Sequence, residues 1–138
     1  MATYNKFQAF VEHIAEKVHN LGADTLTLAL TAAANAPVAT NSVIADLTQI
    51  SYTNLSSRVL TVSASSQSSG TYSLVVSDLV LTASGGAVAT FRYVVAYNDT
   101  PTSPADPLIA WWDYGGNVTL ADGETFTFDQ GASFLTIV

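Results

Sequence analysis

From Leu26 to the C-terminus, apolar residues recur at every second position in short runs, with turn signals between the runs. Neighbouring side chains on a strand point to opposite faces, so this alternation marks strands with one face buried. Leu26, Leu28 and Leu30 alternate with Thr25, Thr27, Ala29 and Thr31. Arg58–Ala64 reads as a second strand, and Phe91, Tyr93, Val95 and Tyr97 share one face of Ala87–Tyr97. Ile109–Tyr114, Val118–Leu120, Thr125–Phe128 and Phe134–Val138 follow. One run is too long for a single flat strand. Tyr72, Leu74 and Val76 lie on one parity, whereas Leu79, Leu81 and Ala83 lie on the other. A period of two permits that switch only at a bulge or bend, which the sequence puts at Ser77-Asp78. Seven or eight such strands predict a mainly β fold, an antiparallel sandwich or barrel-like domain.

The connections carry their own chemistry. Residues 32–42, with Pro37 and two Asn, read as an ordered loop, and residues 43–48 as one short helical turn. Ser65–Gly70 reads as a polar hairpin tip, and Ser84-Gly85-Gly86 and Gly115-Gly116 as turns. Asn98–Pro107 holds three of the four prolines and must be a loop. Asp122-Gly123 predicts a type I′ hairpin.

Only the N-terminal stretch has helical periodicity. Phe7, Phe10, Val11, Ile14, Val18 and Leu21 fall within about 100° of arc, the width of a core-facing stripe. The spacing predicts an amphipathic helix over about residues 5–21, started by Thr3 or Asn5 and ended by a left-handed Gly22. Its stripe needs cover, either from the chain's own sheet or from a neighbouring subunit. The 138 residues suit one domain, residues 1–138, with a β body over about 24–138.

Charge narrows the function. Four Lys and Arg stand against eleven Asp and Glu, a net charge of −7. That excludes a basic nucleic-acid-binding surface, since phosphate neutralisation needs clustered cations. Without cysteine there is no disulfide, thiolate metal site or Cys nucleophile. No apolar run is long enough for a membrane-spanning helix, and the N-terminus lacks the pattern of a signal peptide.

Motifs for chemistry are sparse. His13 and His19 are six positions apart, on opposite flanks of the predicted stripe, which fails the i,i+4 spacing of a helical metal pair. Nucleophile-elbow and phosphate-loop patterns do not occur. Asp99, Asp106, Asp113, Asp122 and Asp129 offer oxygen ligands for Ca²⁺, yet none shows the spacing of a calcium loop, and turn chemistry accounts for Asp at such places. The expectation is a protein without catalytic residues, metal or cofactor. Trp111, Trp112 and Tyr114 suggest either a sugar-stacking platform or core plus subunit contact. Adjacent Trp residues on a strand face opposite ways, so one enters the core and the other looks outward. The candidate subunit contacts are therefore Phe7, Phe10, Val11, Ile14, Trp111 and Trp112.

Two segments carry a family resemblance. They are LTLALTAAANAPVATNSVIADLTQIS, residues 26–51 behind the N-terminal helix, and WWDYGGNVTLADGETFTFDQGASFLTIV, residues 111–138. Both resemble small virion proteins of tailed bacteriophages, and the likeness is weakest over residues 55–107. The resemblance implies a non-enzymatic virion component and brings no catalytic residues. Within that class the acidic charge favours a capsid decoration (cement) protein on the outside of the shell. It would be a homo-oligomer, a trimer by analogy with decoration proteins at local three-fold positions, and its partner the major capsid protein or another virion subunit. A tail or head-to-tail component, and a carbohydrate- or receptor-binding β module, are the alternatives. Neither nucleic acid nor membrane is an expected partner.

Overall fold

A computed structural model describes residues 2–138. The elements run in the order β1 (Tyr4–Lys6), α1 (Ala9–Ala15), β2 (Leu26–Thr31), β3 (Val62–Ser68), β4 (Thr71–Val76), β5 (Leu79–Thr82), β6 (Phe91–Asn98), β7 (Leu108–Val118), β8 (Thr125–Phe128) and β9 (Leu135–Ile137). Short 3₁₀ turns at Ala33–Asn35 and Ile44–Asp46 interrupt the long connection after β2. All the strand pairs are antiparallel, so the fold is mainly β with one short N-terminal helix.

Two layers face each other. The first is a four-stranded sheet in the order β1-β7-β6-β2. The second combines β3-β4-β9 with β5-β8. Its two parts belong together, because β4 and β5 are separated only by Ser77-Asp78, where the parity switch predicts the bend. Alongside them, β8 and β9 run back antiparallel, with Leu79 opposite Phe128 and Leu74 opposite Leu135. The second layer is thus a bent pair of long strands, with the slack taken up in residues 129–134.

The layers are joined along one side. Leu28 N–H donates to Arg58 O at 2.9 Å and Leu60 N–H to Leu26 O at 2.8 Å, so residues 58–60 pair onto the outer edge of β2. The chain then crosses into β3. Arg58–Ala64 is therefore not one strand in one sheet, as its alternation suggested, but a crossing between two. Arg58 also clamps the edge. Its guanidinium donates to Leu28 O and lies 3.6 Å from the centroid of the Tyr52 ring, whose hydroxyl accepts from Leu30 N–H at 2.9 Å. Among the described residues, the opposite side of the sandwich has no such crossing.

The first sheet is covered on both faces. Leu26, Leu28, Leu30, Val94, Ala96 and Trp112 point into the main core between the layers. Ala29, Val95, Tyr97 and Leu108 face the other way and pack under Phe7, Ile44 and Leu47, with Trp111 against them. Two irregularities in the β6–β7 pairing adjust this pattern. At one, Ile109 is the extra residue between the Ala96↔Ala110 and Tyr97↔Leu108 pairs, and it joins the main core beside Ala110. At the other, the shift between Phe91 and Tyr93 turns Phe91 into the main core, away from Val95 and Tyr97, so these four aromatic and apolar positions do not share one face.

Several connections differ from their sequence patterns. Ser65–Ser68 belong to β3, and the hairpin tip is only Ser69-Gly70, both at positive φ (50° and 84°). A polar strand on an exposed edge looks like a loop, because it has no buried face to impose alternation. Gly115-Gly116 does not reverse the chain either. β7 continues through it, and Gly115 at φ 92° absorbs the widest gap in the β6–β7 register. At Asp122-Gly123 only the glycine has positive φ, and β8 pairs with β5 rather than with the preceding strand, so the turn is not type I′.

The helix shows the largest departure. It has seven residues, begins after Gln8 and closes at Glu16, whose N–H donates to Glu12 O at 2.9 Å. Lys17, not Gly22, takes the left-handed conformation (φ 64°). Tyr4–Lys6 are recruited as an edge strand opposite Trp112, Trp111 and Ala110, and that ladder outcompetes helix at residues where an isolated helix is only marginal. Of the stripe, Phe7 and Phe10 are buried, Ile14 packs against the main core, and Val11 is 54% exposed. Phe10→Ala should accordingly lower unfolding stability by about 3–5 kcal/mol, whereas Val11→Ala should stay within about 0.5 kcal/mol. Denaturant titration of both variants checks the contrast, and equal effects would refute it.

Candidate functional site

Trp112 is the place to start. It is 5% exposed, its ring is 5.0 Å from that of Phe128 and 5.7 Å from that of Phe134, and Tyr4 meets it edge-on at 5.7 Å. Tyr114, two residues on, meets Phe126 edge-on at 5.4 Å. The contacts of Trp112 with Phe128 and Phe134, and of Tyr114 with Phe126, cross from β7 in the first layer to β8 and the residue before β9 in the second. Tyr4 packs on Trp112 within the first layer, and the crossing contacts lie along the side that no segment closes among the described residues. A groove of about 660 Å³ runs there, lined by Tyr4, Trp112 and Tyr114 on one wall and by residues 126–130 and 133–136 on the other. Tyr4 and Tyr114 are 38% and 57% exposed, the largest aromatic surfaces left to solvent among the described residues. Asp129 is the one charged side chain in the lining.

The local sequence makes this groove. β1 pairs only with β7, β8 only with β5, and β9 only with β4. Each therefore keeps one edge whose backbone N–H and C=O groups have no strand partner, the feature that lets a sheet accept another strand. The aromatic residues on β7 and β8 hold the layers together where a ladder would otherwise do so.

A second cluster forms where the chain leaves the helix. Because α1 stops early, His19 is not on it. The imidazole folds back to within 5.9 Å of the His13 ring and 5.2 Å of the Phe10 ring, centroid to centroid. The two histidines, expected on opposite flanks of one helix, thus meet. Asn98 is fully buried and ties them to the sheet. Its Nδ2 donates to His19 Nδ1 at 3.1 Å and to Asp24 Oδ2 at 2.6 Å, and its Oδ1 accepts from Thr100 N–H at 3.1 Å. With Nδ1 accepting, the imidazole proton sits on Nε2, which is buried with no partner among the described residues. Burial, then the His13 charge, holds the His19 pKa down to about 4, with Asp24 opposing. The cluster anchors the end of β6 to the helix and presents no nucleophile to His19.

The carboxylates are spent on turns. Asp46 accepts from Ser42 N–H at 2.8 Å and Val43 N–H at 3.3 Å, which lowers its pKa. Asp122 accepts from Gly85 N–H at 3.0 Å and Asp129 from Gly131 N–H at 2.8 Å. Asp113 pairs with Arg92 at 2.9 and 3.0 Å, and that bond, with Gly115 N–H, lowers its pKa. Asp106 is raised by burial and by the neighbouring Asp99. Among the described residues, no group of three His or acidic side chains is arranged to hold a metal ion.

Of the six candidate contacts, Phe7, Phe10 and Trp112 lie in the chain's own core and have almost no surface for a partner. Trp111 and Trp112 do face opposite ways. Trp111 is half-buried with its ring 4.6 Å from Phe7. Ile14 is partly covered, and Val11 is exposed. Of the groove residues, Tyr4 and Phe126 escape sequence reasoning and Asp129 stands out there only as an oxygen ligand, since strand order alone brings residues so far apart in the chain together. Compared with known proteins, the chain matches no family model, no curated sequence and no solved structure. No helix is long and apolar enough to cross a membrane.

The buried imidazole sets a pH dependence. His19 titrates near 4 when folded and near its ordinary 6.5 when unfolded, so between these values only the unfolded chain binds the proton. Stability is complete above about pH 6.5 and should fall by on the order of 2–3 kcal/mol as pH drops toward 4. Urea titrations across this interval should show that slope in the natural chain and a flatter one in His19→Gln. An equally steep fall in the variant would clear the imidazole of the effect.

Proposed function

We propose that this chain is a non-enzymatic virion structural protein that binds other protein subunits through its free strand edges, decorating and stabilising the outside of a capsid. The observation that carries the reading is the open side of the sandwich, where unpaired edges of β1, β8 and β9 border an aromatic groove. Unpaired sheet edges supply main-chain groups through which an assembly protein can add a strand of its partner. The net charge of −7 suits an outer surface and disfavours a lining that meets DNA phosphates. The resemblance of residues 26–51 and 111–138 to tailed-phage virion proteins supplies the setting. The working form in this reading is a homo-oligomer, a trimer if the analogy with other decoration proteins extends to symmetry.

Immunogold labelling of particles from a phage encoding the chain tests the location, and light scattering of the purified protein tests the assembly. Label over the shell, with a trimer mass in solution, is the expected result. Label confined to tails would move the protein to the tail, and unlabelled particles would overturn the virion reading altogether.

A further inference from the structure

The sandwich is a flattened barrel that fails to close along one seam. Followed strand by strand, backbone pairing runs β1-β7-β6-β2, passes through residues 58–60 into β3, and continues through β4 and β5 to β8 and β9. It then stops. The next neighbour in space is β1, where the pairing began, and between them lies the groove. Both lips have a free edge, and the apolar surface left open between them is that of Tyr4, Tyr114 and the half-buried Phe126, above the buried Trp112, Phe128 and Phe134.

We infer that this seam is the docking site for an extended strand of a different protein, one with apolar side chains at alternate positions and a basic residue near one end. The inference rests on the assembly reading above and deepens it by naming the site and the chemistry of its occupant. Free N–H and C=O groups repeating along the lips match the repeat of an extended main chain, whereas a helix has its own backbone groups already paired. Alternation follows because one face of such a strand would lie on Tyr4, Tyr114 and Phe126 and the other would meet water. The basic residue follows from charge. Asp129 is the single charged group in the groove; its Oδ1 accepts from Gly131 N–H, and its Oδ2 has no hydrogen-bonding partner among the described residues. The overall charge of −7 adds to the attraction of a basic partner at this groove.

The probe is a capped synthetic peptide of about nine residues, alternating Val and Thr with a Lys at each end, which spans about 30 Å when extended. Amide hydrogen exchange of the full chain, with and without peptide, should show new protection in β8, β9 and β1. Replacing the central Val of the peptide by Pro removes a ladder donor and should weaken binding about tenfold or more. Asp129→Lys should reverse the preference, favouring a peptide with Glu at its ends over the Lys form by about threefold or more. Asp129 and Tyr114 are exposed, so Asp129→Lys and Tyr114→Ala should fold, and a melt of each checks this. Tyr114→Ala should weaken the peptide without moving its protection pattern. Equal binding of the Pro peptide, protection elsewhere on the molecule, or no binding at all would overturn strand docking. So would a soluble oligosaccharide that perturbs Tyr4 and Tyr114 while the peptide does not, or dimerisation of the chain through the same amides. Shell labelling combined with a silent peptide would sink the seam proposal and leave the virion reading standing.

Discussion

The packing of Trp112 against Phe128 and Phe134 is the contact on which the rest of the sandwich depends. On one side the two layers are joined covalently and by backbone hydrogen bonds, where residues 58–60 edge β2 and then cross into β3. On the other side no ladder joins them among the described residues, and the contacts of Trp112 with Phe128 and Phe134 and of Tyr114 with Phe126, at 5.0 to 5.7 Å, stand in its place. Aromatic side chains suit this task, since each buries a large apolar area and edge-to-face pairs add stabilisation beyond area alone. The same choice leaves strand edges free. A barrel closed by a ladder would be stable and inert, whereas one closed by side chains keeps a place where another chain can bind.

Covering the central sheet on both faces explains several features that look unrelated. β2, most of β6 and the first half of β7 are buried on each side, so residues 93–97 and 108–112 read as nearly continuous apolar runs, while β2 keeps its alternation with Thr27 and Thr31 buried all the same. Phe7, Ile44 and Leu47 provide the second cover, and they come from the N-terminal segment and the long connection after β2. This is why residues 32–50 are ordered despite having little regular structure. The irregularities in the β6–β7 pairing then decide which face each large residue takes, turning Phe91 and Ile109 inward to the main core.

The polar corner at His19 has a different function. Asn98 ends β6 inside the protein, and its amide must find partners there because burying it unpaired would cost more than the hydrogen bonds return elsewhere. Asp24, His19 and Thr100 satisfy it and so connect the N-terminal cover to the central sheet. Holding His19 neutral is the consequence, because a protonated Nδ1 could no longer accept from Asn98.

Much of the strand inventory was legible in the residues. The alternation of Leu26, Leu28 and Leu30, the parity switch at Ser77-Asp78 and the opposite facing of Trp111 and Trp112 are local consequences of a two-residue period, and a period is visible in a chain. Even the break between β4 and β5 could be placed, because a strand has no other way to exchange its faces. The helix was legible only in part. Phe7 to Leu21 has the right spacing, but whether residues 4–6 or 16–21 stay helical depends on a β7 edge and a buried Asn98 that lie about a hundred residues away. Ser65–Ser68, with no buried face, carried no periodic signal at all. The groove was not legible, since Tyr4, Tyr114 and Asp129 acquire a common role only through strand order, and strand order is set by which edges pair after collapse. The sequence by itself determined what each residue prefers locally: a strand with one buried face, a bend where the faces exchange, a turn. Only the tertiary structure decided which edges remain unpaired, because an edge is defined by the absence of a neighbour, and no local pattern encodes an absence.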